Sequence, residues 1–148
     1  MPLSVAAVEL LNVLRPTVAV SVFITFIALA LQEHPECRQP LAAGEKNYKE
    51  WFVQEVRRFY PFFPAVGARV RHDFEWKGYR FPQGRRVMLD LYGTDHDPRL
   101  WAEPELFRPE RFRHWSEDPF ELIPQGGGDH GLNHRCPGEW LAIELMKV

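Results

Sequence analysis

Cysteine is scarce: only Cys37 and Cys136 occur in 148 residues. They could form one disulfide at most, which excludes a cross-linked secreted scaffold and leaves a reduced, cytoplasmic setting as the expectation. A basic surplus is also lacking, since 18 Lys and Arg face 20 Asp and Glu for a net charge of -2. No broad positive field is available for nucleic acid or anionic lipid, so neither is expected as a partner. Met1 to Ala7 carry no basic residue, which argues against a signal peptide. The most apolar run, 17–31, spans 15 residues. That is short for a transmembrane anchor and reads as a helix buried on all sides. Internal repeats and low-complexity tracts are absent.

The remaining composition is globular, with 45% hydrophobic, 14% aromatic and 26% charged residues. Residues 1–148 are read as part of one domain with a modest core. Thirteen prolines imply extended, turn-rich connections between short elements. Residues 3–31 read as helix, broken or kinked at Arg15-Pro16 because an interior proline removes a backbone bond and clashes with the preceding turn. A second, amphipathic helix runs over 49–60 and stops at Pro61. From Ala65 the periodicity alternates: 68–71, 74–76 and 79–81 read as strands with a Lys77-Gly78 turn, and 86–91 as a strand or helix start. Residues 97–112 are irregular, and Pro137 opens a last helix.

Residues 124–139 carry the densest chemistry: a loop with Gly126, Gly127, Gly128 and Gly131 leads into Cys136-Pro137-Gly138-Glu139. Such a loop lets backbone approach a flat ligand and exposes N–H groups. Cys136 falls where an N-cap is expected, with Pro137 as first helical residue. There the positive helix end favours thiolate, the form that binds metal. A buried free cysteine and a zinc site from His130, His134 and Cys136 are the other readings, the latter lacking a second pair of ligands. Glu55 and Arg58 lie three apart on one helix face, and Pro109-Glu110-Arg111-Phe112 follows some fifty residues later. Alone, Glu55 and Arg58 would be a surface ion pair of little worth.

The order of these parts resembles the cytochrome P450 family across essentially the whole chain. The resemblance implies a mainly α fold with small β-sheets, truncated to its C-terminal part. It also implies haem b held by Cys136 as axial thiolate, which pushes electron density toward a bound peroxide. Glu55, Arg58 and Arg111 would form a buried structural triad behind the haem. Gly127 and Gly128 would line the cofactor loop, with Arg69 and His134 as candidate partners of the haem propionates. Gln125 stands where the general loop has phenylalanine, and His134 where it has arginine.

Leu14-Arg15-Pro16-Thr17-Val18 replaces the acid–threonine pair of monooxygenase P450s. That pattern resembles the bacterial fatty-acid peroxygenases, which hydroxylate or decarboxylate fatty acids with hydrogen peroxide at the alpha or beta carbon and need no redox partner. Arg15 and Pro16 would then be catalytic. A buried Arg15 demands an anion, and a fatty-acid carboxylate fits its guanidinium fork and can act as acid–base group. The bland reading leaves Arg15 in water at a helix end. A redox-partner-dependent monooxygenase and an inactive truncated remnant are the alternative functions.

Overall fold

Thirty-one mostly apolar positions form a single helix, α1 (Leu3–Glu33), in the computed structural model, which describes residues 1–148. The expected interruption at Pro16 does not occur, because helix continues on both sides of it. Pro16 withholds one backbone donor, while the Thr17 hydroxyl supplies a side-chain donor to the Val13 carbonyl at 3.0 Å. Burial on all sides is corrected too: only Phe23 and Ala30 of α1 are buried. At 31 residues α1 is long and apolar enough to cross a membrane, by length and composition alone.

A 3-10 turn (Pro35–Cys37) and α2 (Arg38–Ala43) lead to α3 (Tyr48–Phe59). Tyr48, Phe52, Val53 and Val56 recur at helical spacing and turn one face of α3 into the core. There they pack with Phe23 and Ala30 of α1, Cys37, Tyr60, and Ile143 and Met146 of α5 (Glu139–Met146). Cys37 is buried in that cluster and both cysteines are free, so the one conceivable disulfide is not formed. The other face of α3 is polar yet also buried, with Glu55, Arg57 and Arg58 each at most 1% exposed. That face positions the site.

Strands β1 (Ala65–Arg69) and β4 (Arg86–Asp90) pair antiparallel and enclose a hairpin of β2 (Phe74–Trp76) and β3 (Tyr79–Phe81). Lys77 and Gly78 both have positive φ, as a tight two-residue turn requires. The short helix α4 (Leu91–Asp95) follows, capped by the Asp90 carboxylate accepting the Gly93 N–H at 2.8 Å. Trp101, Phe112 and Leu122 make a small second cluster beneath the irregular segment, which contains a 3-10 helix at Pro109–His114.

Candidate active site

Glu55 and Arg58 stand one turn apart on α3, and Arg111 reaches them from the 3-10 helix. Arg58 Nε and Nη2 each donate to a Glu55 carboxylate oxygen at 2.8 Å. Arg111 Nε donates to the same carboxylate at 3.1 Å, as does the Arg108 backbone N–H at 2.7 Å. One buried acid thus serves two guanidinium groups, whose remaining donors go to carbonyls. Arg58 binds the Asp95 oxygen at 2.9 Å, and Arg111 binds those of Ala102 and Leu106 at 2.7 and 2.8 Å. Burial lowers the Arg111 pKa, and the Glu55 charge opposes that shift. These bonds fasten α3 to the segment 95–111.

The cysteine loop is bent at glycines where an added Cβ would collide, most severely at Gly126. Gly126 has φ +91°, and a Cβ there would lie 2.0 Å from the His134 carbonyl oxygen. A Cβ on Gly128, at φ +83°, would lie 2.6 Å from the Asn133 side-chain oxygen, and one on Gly127 would meet the Ile123 side chain at 2.7 Å. The loop therefore folds back on itself, with Gly126 bridged to Arg135. Cys136 stands half-buried at its exit, and its N–H donates to the Gln125 carbonyl at 2.9 Å. The N-cap expectation for Cys136 is corrected: α5 starts at Glu139 with Gly138 as cap. Pro137 lies in the turn before it, closed by the Glu139 N–H on the Cys136 carbonyl at 3.2 Å.

A second buried cluster, which the sequence reading missed, backs this loop. Arg57 is 1% exposed and donates to Gln125 Oε1 at 3.1 Å, to Gln54 and to the Glu139 carboxylate. Glu139 also accepts from Arg135 Nε at 2.6 Å and meets His130 Nε2 at 3.3 Å. Burial pushes the Glu139 carboxyl up, but Arg135 and Arg57 outweigh it and hold it below the usual range. The one available signal was the Arg135/Glu139 spacing of four. Asp95 is the other missed residue: its carboxylate accepts the Ile123 N–H at 3.0 Å, just before the loop. Burial pushes its pKa to about 7, against that bond and the Arg58 and Arg57 charges.

The zinc reading has no geometric support, since no three His, Cys, Asp or Glu groups converge. His130 instead stacks on Trp140 at 3.9 Å. His134 and Arg69 are exposed, and Arg69 lies on β1 opposite Arg86. Arg15 and Pro16 are exposed as well, which corrects the expectation of a buried Arg15. The physical reason is that nothing in the chain packs on that half of α1. A cleft of about 880 Å³ borders the loop through Gly128, Arg135 and Glu139 but does not include Cys136.

A free, half-exposed thiol leaves a glycine-bounded loop that the buried Arg57–Glu139 pair backs, and as thiolate it is a soft metal donor. Those features suit a thiolate that ligates a metal. Residues 45–148 match the family model described as Cytochrome P450. Cytochrome P450 71A8 of Mentha piperita is 42% identical over 106 residues, covering 68% of this chain and 20% of that protein. Among solved structures, cytochrome P450SP alpha in complex with (R)-ibuprophen is 64% identical with a TM-score of 0.89, covering 96% of this chain and 35% of that one. Cytochrome P450EX alpha with myristic acid is 54% identical with a TM-score of 0.89, covering 99% and 36%. A variant of cytochrome P450 OleT in complex with arachidonic acid is 45% identical with a TM-score of 0.87, covering 95% and 33%.

The chain belongs to the cytochrome P450 family. These solved neighbours are of the fatty-acid peroxygenase group to which the motifs pointed. The family carries haem b on a cysteine thiolate. The chain spans about a third of the length of these solved relatives and about a fifth of the Mentha protein. Coverage of 95–99% leaves no room to omit the 31-residue α1, so α1 has its counterpart inside the P450 fold of these proteins.

Proposed function

We propose that this chain carries the haem-binding and substrate-anchoring parts of a cytoplasmic peroxygenase that oxidises fatty acids with hydrogen peroxide at the alpha or beta carbon. The observation that carries it is Cys136, a free thiol held at the exit of a loop that cannot accept a side chain at Gly126. Cys37 is unsuited to the role, because it is buried in the core and burial raises its pKa. Cys136 is thus assigned as the axial ligand, with Gly127 and Gly128 giving the loop its close approach and Arg69 and His134 free to meet propionates. When bound, haem supplies the oxidising chemistry, and the thiolate donates electron density that favours O–O cleavage.

The chain's own residues set the rest. Arg15 is exposed and joins none of the chain's ion pairs, so its guanidinium is available to a fatty-acid carboxylate. A carboxylate held there brings the alpha and beta carbons closest to the reacting centre and provides the acid–base group that the Arg15-Pro16 sequence lacks. Pro16 leaves one backbone carbonyl of α1, a turn before it, without its helical donor. Hydroxylation balances as fatty acid plus hydrogen peroxide to hydroxy acid plus water. Decarboxylation balances as fatty acid plus peroxide to terminal alkene, carbon dioxide and two waters. Neither needs electrons from a redox partner. Binding of myristic and arachidonic acids by similar proteins supports the substrate class.

The test is the carbon monoxide difference spectrum of the reduced, haem-supplied chain, followed by peroxide turnover of a fatty acid. A thiolate-type Soret band that is lost in Cys136→Ser supports the ligand assignment. Turnover with peroxide alone that falls by roughly two orders of magnitude in Arg15→Ala supports the carboxylate anchor. Turnover that appears only with an electron-transfer partner would sink the peroxygenase reading and leave a monooxygenase.

A further inference from the structure

Both backbone groups of Cys136 are tied to residues that a single side chain holds. The Cys136 N–H donates to the Gln125 carbonyl at 2.9 Å, and the Cys136 carbonyl accepts the Glu139 N–H at 3.2 Å. Arg57 in turn donates Nε to the Gln125 side chain at 3.1 Å and Nη2 to the Glu139 carboxylate. The connections close a ring: Arg57, Gln125, Cys136, Glu139 and back to Arg57. Gln54 accepts from the remaining Nη1, which fixes the plane of the guanidinium against its own helix.

We infer that Arg57 is a positioning residue for Cys136, acting through Gln125 and Glu139, and independent of the neighbouring triad. Arg58 and Arg57 are consecutive, so their side chains leave α3 in directions about 100° apart. Arg58 serves the segment 95–111, whereas Arg57 serves the cysteine loop and the start of α5. Gln125 thereby gains a function: it supplies a side-chain acceptor for Arg57 and a backbone acceptor for Cys136. Phenylalanine at 125 would supply only the second. A buried guanidinium with all three nitrogens engaged is an expensive device for mere packing, and two of its three partners, Gln125 and Glu139, flank Cys136.

The inference rests on Cys136 being the haem ligand, and the experiment separates the two claims. Arg57→Met, Arg57→Lys and Gln125→Leu are compared with the parent full chain by backbone amide exchange without haem and by the reduced carbon monoxide spectrum with haem. The expected result is that the Cys136 and Glu139 amides exchange roughly tenfold faster or more in Arg57→Met, while the Val53 and Val56 amides keep their protection. Arg57→Lys retains the Glu139 ion pair and lies between. With haem, the thiolate-type band weakens in the same order. Unchanged protection at Cys136, or equal loss at every amide in both Arg57→Met and the milder Gln125→Leu, overturns the inference. If Arg57→Met does not fold, selective loosening at Cys136 in Gln125→Leu supports the inference and its absence overturns it. A parent chain that takes up haem without a thiolate-type band refutes the ligand assignment, while the exchange data still decide the clamp.

Discussion

Two single residues carry consequences that can be measured directly. At Gly126 a methyl group would sit 2.0 Å from a backbone oxygen, on a residue with φ +91°. Gly126→Ala is expected to cost about 2 kcal/mol or more, seen as a lower urea midpoint, and to degrade the thiolate spectrum with it. Asp95 reverses the usual carboxylate behaviour. Its folded-state pKa of about 7 lies above the ordinary 3.8, so the folded chain holds a proton that the unfolded chain releases between those values. Stability from this group is therefore fully present below about pH 4 and is lost as pH rises through about 7. Asp95→Asn keeps a carbonyl acceptor for the Ile123 N–H and removes the titration. Urea unfolding at about pH 5 and about pH 8 should show the variant gaining on its parent at the higher pH. An equal difference at both values would refute the shift. Asp95 was not legible in the sequence, since nothing in its spacing tells that its carboxylate is buried.

The triad tests the coupling between elements. Arg111→Ala leaves Glu55 with one cation, and a loss of about 3–5 kcal/mol is expected for breaking so buried a pair. Breaking an exposed pair such as Arg80 with Asp73 should leave the urea midpoint nearly unchanged in the same assay. At this scale much could be read beforehand. Strands β2 and β3, the Lys77-Gly78 turn and the second helix are written in alternation, turn residues and helical spacing, which are local signals; β1 lies at 65–69 instead of 68–71, and β4 reads equally as a helix start. The meeting of Glu55, Arg58 and Arg111 came from the family resemblance and not from the residues themselves, which alone read as a surface pair. Arg57 escaped notice because its partners lie 68 and 82 residues away. Helix termini were also misjudged: Pro137 marks a turn leading into α5 while the cap falls at Gly138.

For the molecule as a whole, α1 sets the behaviour of the isolated chain. Leu10, Val13 and Val18 are 59%, 66% and 65% exposed and lie with other uncovered apolar side chains. Hydropathy told that α1 demands cover, but it could not tell where the cover comes from. Concentration-dependent self-association is expected in sedimentation velocity, and Leu10→Glu with Val13→Lys should reduce it while leaving helix content unchanged. At the other end of the fold, α3 is the shaft to which everything else is keyed: core on one face, the 95–111 segment on another, the cysteine loop and α5 on a third. Adding or deleting one residue between Glu55 and Arg58 would turn those faces by about 100° and misalign all three at once. Gene length is therefore rigid here in a way that residue identity at the exposed Lys49 is not. Insertions that a surface loop absorbs would, at this one helix, disconnect the cysteine from the rest of the protein.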